Sequence, residues 1–169
     1  MGERAQLVTR ETLYEGPFRM LVDEIDDGHH RYKRAWVQHP GAVVLIPLLG
    51  DDVLLVRQFR HPTGQEILEL PAGTIEPGED PRETAIRELQ EECGFKPGRL
   101  TEILTGYAAP GYSSEVYHFF RAEELVESRL PGDVDEDISV ERMSLRKAVA
   151  MARGGRIGDV KTALGLLLL

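Results

Sequence analysis

Four glutamates lie close together near the middle of the chain: Glu79, Glu88, Glu91 and Glu92. Neighbouring carboxylates repel one another and raise each other's pKa, and the whole chain already carries a net charge of −9. Such a cluster persists either because water screens it or because a cation sits in it. Carboxylate oxygens suit hard divalent cations. Two alternatives follow, a solvated acidic surface and a metal site.

The residues around the cluster predict a helix with defined ends. Asp80 can cap it, and Pro81 suits its first position. Glu83 completes a pattern similar to a capping box. Gly94 is expected to end the helix in a left-handed conformation. The preceding stretch "PAGTIEPGE", with two prolines and two glycines, predicts a loop.

Regular α-helical spacing places the carboxylates on one side of this helix. Glu88, Glu91 and Glu92 are related by steps of three and four residues, so they project together. A separate apolar face is expected to pack on a sheet, and it comprises Ala85, Ile86, Leu89 and Cys93. The helix would thus be anchored by one side and present its carboxylates on another.

The remainder of the chain predicts a mixed sheet with helices, an α+β or α/β/α layered domain. The continuous apolar run at 41–49 predicts a buried strand, and 53–59 returns as its hairpin partner. Short strands and turns are expected in the first forty residues. The other expected elements are strands at 66–70, 99–109, 115–125 and 138–144 and helices at 145–153 and 159–168.

Composition narrows the class of protein. One cysteine in 169 residues rules out an internal disulfide and fits a reducing cytosol. The first dozen residues are too polar for a secretory signal, and the apolar stretch 163–169 is too short to span a bilayer. The acidic balance argues against a broad nucleic-acid surface. We therefore expect a soluble cytoplasmic protein with a small-molecule ligand and no nucleic-acid or membrane partner.

The acidic cluster belongs to a longer pattern, Gly-x5-Glu-x7-Arg-Glu-U-x-Glu-Glu-x-Gly-U, where U is a bulky apolar residue. Seven of its positions require one residue type, so a chance match is on the order of one in ten million per start position. In this pattern the chain resembles the Nudix hydrolase family, whose defining motif it matches at every position. The matching residues are Gly73, Glu79, Arg87, Glu88, Leu89, Glu91, Glu92, Gly94 and Phe95. The full pattern favours the metal site over the solvated surface.

The resemblance implies a loop–helix–loop that binds two or more Mg²⁺ or Mn²⁺ ions and hydrolyses a nucleoside diphosphate linked to another group. Glu88 and Glu92 are then catalytic metal ligands, and Glu91 is a ligand or supports one. Glu79 joins the metal shell directly or through water, and the backbone carbonyl of Ala72 supplies a further ligand.

Three other residues of the motif have expected structural roles. Arg87 is expected to orient the neighbouring carboxylates, with substrate contact as the alternative. Gly73 and Gly94 serve backbone geometry. Cys93, beside them, is expected in the core without a catalytic role.

Features outside the motif resemble the ADP-ribose pyrophosphatase branch of the family. Pro110 lies sixteen residues beyond Gly94 in "PGYSSE", which leads to Glu115, an expected substrate contact. A plain turn is the alternative for this segment. The segments 56–62 and 69–73 resemble the same branch. The resemblance implies hydrolysis of ADP-ribose to AMP and ribose 5-phosphate. The alternatives are other nucleoside diphosphate sugars or dinucleoside polyphosphates as substrates, and a non-catalytic ADP-ribose sensor.

Several residues are candidates for binding the substrate. Arg57 and Arg60 could donate paired hydrogen bonds to phosphate or ribose oxygens. Trp36 and Phe18 could stack on the base, with core packing as the alternative. Glu69 could contact the terminal ribose or a water on the metal.

A general base is expected in the acidic loop after the motif. The resemblance favours Glu136, two residues before Ile138, and the rivals are Asp135 and Asp137. A solvated acidic loop is the alternative.

The resemblance also implies a domain organisation. Residues 41–169 form the Nudix domain, an α/β/α sandwich with a mixed sheet. Residues 1–40 form an N-terminal strand extension, which in relatives helps to form a homodimer whose subunits contribute to each other's ligand pocket.

Overall fold

The computed structural model describes residues 5–132 and 138–169. The chain divides into two compact units. One comprises the segment up to Gly41 together with Tyr107–Val116, and the other comprises Ala42–Gly106 together with Tyr117–Leu169. The division into 1–40 and 41–169 stays a prediction.

The smaller unit is built on a three-stranded antiparallel sheet. Its strands, in spatial order, are β1 (Gln6–Glu15), β2 (Arg19–Asp26) and β3 (Arg31–Gln38). The segment 107–116 adds one parallel bridge, between Val37 and Ser113. The short strands expected before residue 41 are thus confirmed.

The larger unit contains a seven-stranded mixed sheet and, within residues 42–106, 117–132 and 138–169, three α-helices. Its elements in chain order are β4 (Ala42–Leu49), β5 (Asp52–Arg60), β6 (Gln65–Glu69), β7 (Ala72–Thr74), α1 (Pro81–Glu88), a π-helical turn (Leu89–Cys93), β8 (Phe95–Tyr107), β9 (Val116–Glu127), β10 (Ile138–Ser144), α2 (Leu145–Arg153) and α3 (Val160–Leu167).

Strand β4 lies at the centre of this sheet. It pairs in parallel with β9 and antiparallel with β5 and β7. Strand β10 forms one edge beside β5, as expected for 138–144, and β8 forms the other beside β9. Strand β7 lies in the stretch predicted to be a loop. The loop prediction is wrong for these three residues, because so short a stretch that includes a glycine carries no strand pattern of its own.

Alternate residues of the central strands face two separate cores, because successive side chains of a strand point to opposite faces. Val43 and Leu45 of β4 pack with the apolar face of α1 and its π-helical turn. Val44 and Ile46 pack with α2 and α3. Burial on both faces explains the unbroken apolar run of this strand. The predicted α/β/α sandwich with a mixed sheet is confirmed.

Both predicted ends of the acidic helix are confirmed. The carboxylate of Asp80 accepts a hydrogen bond from the backbone N–H of Arg82 at 2.8 Å, and Pro81 takes the first position. Gly94 ends the helix with a φ of 78°, in the left-handed region that glycine adopts without strain.

Regular α-helical spacing was expected as far as Gly94, and it is wrong for the last turn. Leu89–Cys93 is π-helical, and this wider turn changes the direction of the side chains within it. Glu92 is consequently only 7% exposed and does not project from the surface with Glu91. Cys93 is buried as predicted, and burial raises the pKa of its thiol.

Among residues 5–132 and 138–169, no helix combines the length and the apolar character needed to cross a membrane.

Candidate active site

Arg87 holds three of the four clustered glutamates. Its Nε and Nη2 donate to Glu79 Oε1 and Oε2 at 3.1 and 3.0 Å, a paired contact with both carboxylate oxygens. Its Nη1 donates to Glu88 Oε1 and to Glu91 Oε2, at 2.8 Å in each case. Arg87 therefore has the geometry of a residue that orients carboxylates, as the sequence-based interpretation requires.

Glu79 is held from two directions. The hydroxyl of the buried Thr84 donates to Glu79 Oε2 at 2.8 Å, in addition to the bonds from Arg87. The hydrogen bonds from Arg87 lower the pKa of Glu79, and those with Glu79 are the largest cause of the raised pKa of Arg87. Thr84 is absent from the sequence-based site. The feature of the sequence that could have indicated Thr84 is its position as a polar residue directly before the buried Ala85.

Gly73 of β7 makes room for the carboxyl group of Glu88. A Cβ atom at position 73 would lie 1.9 Å from Glu88 Cδ and 2.0 Å from its Oε1. The φ of Gly73 is not in the left-handed region, so the backbone conformation does not by itself require a glycine here. The glycine is needed for space, because its hydrogen lets the carboxylate lie against the strand.

Glu92 approaches the same strand from the π-helical turn. Its Oε2 accepts a hydrogen bond from the backbone N–H of Ala72 at 3.2 Å. Glu88 and Glu92 therefore meet residues 72–73 from neighbouring turns of the helix. The carbonyl of Ala72 as a metal ligand stays a prediction.

The donor chemistry of this cluster fits a hard divalent cation. In the described part of the chain, no three acidic, histidine or cysteine side chains stand in a ready coordination shell, and three of the four carboxylates are bonded to Arg87. The cluster nevertheless offers one buried and three partly buried carboxylates, and such oxygen donors are the ones that Mg²⁺ and Mn²⁺ prefer. The residues that would hold the metal are Glu79, Glu88, Glu91 and Glu92.

A second ionic network lies where β5, β6 and α3 meet. Arg60 donates from Nε and Nη2 to Glu69 Oε1 and Oε2 at 2.7 and 2.8 Å. Lys161 of α3 contacts the same Glu69 carboxylate and also Asp159 Oδ2, the latter at 3.0 Å. Burial on its own would raise the pKa of Glu69, but the hydrogen bonds from Arg60 and the charge of Lys161 outweigh it, so the pKa is lowered. Glu69 is therefore a buried and ionised carboxylate.

The family model of the NUDIX domain matches residues 38–162. The chain belongs to the Nudix family. An "ADP-ribose pyrophosphatase" of Bacillus subtilis is 39% identical over 161 residues, which cover 92% of this chain and 87% of that protein. A "GDP-mannose pyrophosphatase" of Yersinia enterocolitica is 31% identical, with 96% of this chain and 93% of that protein covered. A solved crystal structure of an "ADP compounds hydrolase" matches with a TM-score of 0.83 at 25% identity, and the match covers 98% of this chain and 92% of that one.

These similarities confirm the predicted family and fold class, and they identify the chain as a Nudix hydrolase. In Nudix terms, the acidic cluster is the complete Nudix box on its loop and helix. The roles of its individual residues stay predictions.

The other substrate-binding candidate of the larger unit, Arg57, has a different partner. Arg57 Nη2 donates to Glu141 Oε2 of β10 at 2.8 Å, and both side chains are partly exposed. Contact between Arg57 and a Nudix substrate therefore stays a prediction. Such a contact would compete with this ion pair.

The remaining described candidates belong to the smaller unit. Trp36 donates from its ring nitrogen to Asp23 at 3.0 Å, and the guanidinium of Arg10 lies 5.2 Å from its ring centroid. Phe18 is exposed and lies 5.4 Å from the ring of Tyr14. One face of the tryptophan is thus occupied by an arginine, whereas Phe18 remains accessible.

Glu115 also lies in the smaller unit. Its Oε1 is 3.9 Å from His39 Nδ1, and its backbone N–H donates to the hydroxyl of Ser113. The segment around Pro110 forms a turn, because the N–H groups of Tyr112 and Ser113 both bond to the carbonyl of Ala109.

The predicted general base, Glu136, and its rivals Asp135 and Asp137 lie outside the described residues. The segment that leads towards them is bound to the end of the Nudix helix. Gln90 Nε2 donates to the hydroxyl of Ser128 at 2.8 Å, and the N–H of Leu130 donates to the Gln90 carbonyl at 3.3 Å.

Proposed function

We propose that this Nudix hydrolase cleaves the pyrophosphate linkage of ADP-ribose. Water would add to one phosphorus, the bond from that phosphorus to the bridging oxygen would break, and AMP and ribose 5-phosphate would be released. The observation that carries the proposal is the similarity to the B. subtilis ADP-ribose pyrophosphatase, which extends over nearly the whole chain. The complete acidic box supports hydrolysis rather than sensing alone.

The residues of the acidic cluster and Arg87 would have separate roles in this reaction. Glu88, Glu91 and Glu92 would hold Mg²⁺ or Mn²⁺, with Glu79 completing the shell. When bound, such ions neutralise the charge of the diphosphate and lower the pKa of a water molecule. Arg87 would keep the carboxylates in position.

The experiment is a substrate panel at equal concentrations, with Mg²⁺ present and products separated by chromatography. It includes ADP-ribose, GDP-mannose, other nucleoside diphosphate sugars and diadenosine polyphosphates. We expect ADP-ribose to give the highest kcat/KM, with AMP as product, and chelation with EDTA to abolish turnover. A higher kcat/KM for another compound would contradict ADP-ribose as the preferred substrate. The proposed hydrolysis of a pyrophosphate linkage would still stand. Tight ADP-ribose binding without turnover would favour a sensor.

A second candidate substrate class is supported by a specific observation. The similarity to the Yersinia GDP-mannose pyrophosphatase covers nearly the whole of both chains. The same reaction on GDP-mannose would use the same acidic box with different contacts to base and sugar. The panel separates the two candidates directly.

We also propose that the protein is a homodimer formed through the smaller unit. Strand β1 is an edge strand, all ten of its residues are exposed, and its exposed apolar residues include Leu7, Leu13 and Tyr14. An edge strand with apolar side chains is a ready surface for a second copy of the chain.

Sedimentation velocity tests this proposal. We expect a dimer for the wild type and a monomer for Leu13→Asp. The matched control is Val126→Asp, which places the same charge at an exposed residue of β9 and should leave the dimer intact. A monomeric wild type at micromolar concentration would contradict the proposal.

A further inference from the structure

Lys161 is a nearly buried cation and the one charged residue of helix α3. Its side chain is 11% exposed, and its ammonium contacts the carboxylates of Glu69 and Asp159. Glu69 is itself only 2% exposed. A buried charge is costly unless it is paired, so the two residues depend on each other.

The arginine on the other side of Glu69 faces outward. Arg60 donates hydrogen bonds from Nε and Nη2 to Glu69, and its side chain is 39% exposed. Its third nitrogen, Nη1, donates no hydrogen bond to residues 5–132 or 138–169 and points away from Glu69, because the guanidinium is a planar fork. Arg60 is thus fixed on one edge and available to an anion on the other.

The carboxylate that holds Arg60 lies close to the Nudix box along the chain. Glu69 ends β6, and three residues later the N–H of Ala72 bonds to Glu92. The negative charge of Glu92 also contributes to the raised pKa of Arg60, after the larger contribution of the hydrogen bonds with Glu69. The two charged groups are therefore within electrostatic reach of each other.

We propose that Lys161 is a positioning residue for the proposed reaction: it holds the Glu69 carboxylate so that Arg60 presents Nη1 to the diphosphate of the substrate. The inference rests on the proposed function, because it assigns Arg60 to an anionic substrate beside the box. Without the ammonium, the buried Glu69 would lose one of its two cationic partners. Arg60 would then be oriented by a carboxylate that is held less firmly.

Helix α3 has other means of packing on the sheet. The hydroxyl of Thr162 accepts a hydrogen bond from the N–H of Leu70 at 2.7 Å, and Leu166 is completely buried. Gly165 lies so close to Leu70 that a Cβ atom would come within 2.5 Å of Leu70 Cδ1. The loss of the Lys161 ammonium should therefore leave the helix in place.

The test compares steady-state kinetics of Lys161→Met, Lys161→Arg and the wild type with ADP-ribose. We expect Lys161→Met to raise KM about tenfold, the size expected for one charge-assisted hydrogen bond, and to change kcat less than threefold. Lys161→Arg should recover most of the affinity. A KM equal to that of the wild type would overturn the proposal.

A double-mutant cycle separates positioning from a structural role. In an Arg60→Met background, the Lys161→Met change should add little to KM, because groups that act through one another are not additive. An equal effect of Lys161→Met with and without Arg60 would show that the lysine does not act through the arginine. Thermal unfolding of each variant checks the fold, and Lys161→Gln replaces Lys161→Met if the latter does not fold.

A binding measurement makes the result independent of the proposed substrate. Calorimetric titration with ADP should give a Kd about tenfold weaker for Lys161→Met than for the wild type. If the wild type does not hydrolyse ADP-ribose but this difference is found, the substrate is wrong and the role of Lys161 stands. An unchanged Kd would overturn that role.

Discussion

Replacing Glu92 by glutamine is expected to lower kcat/KM about a thousandfold, equivalent to about 4 kcal/mol of transition-state stabilisation. Glutamine has nearly the same shape, and its amide oxygen can still accept the hydrogen bond from Ala72 that the carboxylate accepts in the structure. The change therefore removes the charge of a proposed metal ligand and retains the local packing. Activity should fall without loss of the fold.

The measurement pairs kinetics with thermal unfolding at increasing Mg²⁺. A ligand that binds only the folded state raises Tm, so the wild type should show a Mg²⁺-dependent rise that Glu92→Gln largely lacks. Glu83→Gln is the matched control, because Glu83 lies exposed in the first turn of the same helix. It should stay within about twofold of the wild type, the range of an exposed substitution. Turnover of Glu92→Gln within tenfold of the wild type would exclude a metal-ligand role.

Replacing Gly73 by alanine is expected to lower kcat about a hundredfold, the effect of moving a catalytic group by roughly 1 Å. The added methyl group would overlap the carboxyl group of Glu88, whose Cδ lies 1.9 Å from the position of the new Cβ. The group that moves should be the carboxylate, because it is the mobile end of a long side chain. The free energy of unfolding should change little, since the three atoms nearest to the new Cβ all belong to this flexible side chain.

Gly106→Ala is the matched control, because nothing lies within 4 Å of a Cβ atom at that position of β8. It should retain full activity. A second test adds Glu88→Asp to Gly73→Ala. The shorter aspartate withdraws the carboxylate from the new methyl group. Gly73→Ala should therefore lower kcat much less in the Glu88→Asp background than in the wild type. Full activity of Gly73→Ala would show that the close approach of Glu88 is not required.

The Nudix helix could be predicted in detail because its ends depend on local chemistry. An aspartate before a proline and a terminal glycine act through neighbouring backbone groups, and both are used as expected. The π-helical turn could not be predicted in this way. The letters "LQEEC" are compatible with either spacing, and the turn is associated with packing that buries Glu92 and Cys93 together.

The ionic network around Glu69 could not be predicted from the sequence either, for a different reason. Glu69 and Arg60 were each predicted as substrate contacts, but their mutual pairing requires the register of β5 against β6. In that register Arg60 lies opposite Gln65 and reaches Glu69 diagonally. Lys161 follows ninety-two positions after Glu69, and only the packing of α3 brings it there. A single charged residue, Lys161, in a largely apolar helix was the available signal.

The parallel pairing of β4 with β9 has a consequence for how this protein folds. Ala42 lies opposite Tyr117, so the centre of the sheet joins residues seventy-five positions apart. Pairings between such distant segments raise the contact order and slow folding. On the ribosome, the box helix emerges before β9. Since β9 ends at Glu127 of 169 residues, the pairing of β4 with β9 cannot be completed until about three-quarters of the chain has been synthesised. Until then the apolar faces of β4 and of that helix depend on protection from aggregation.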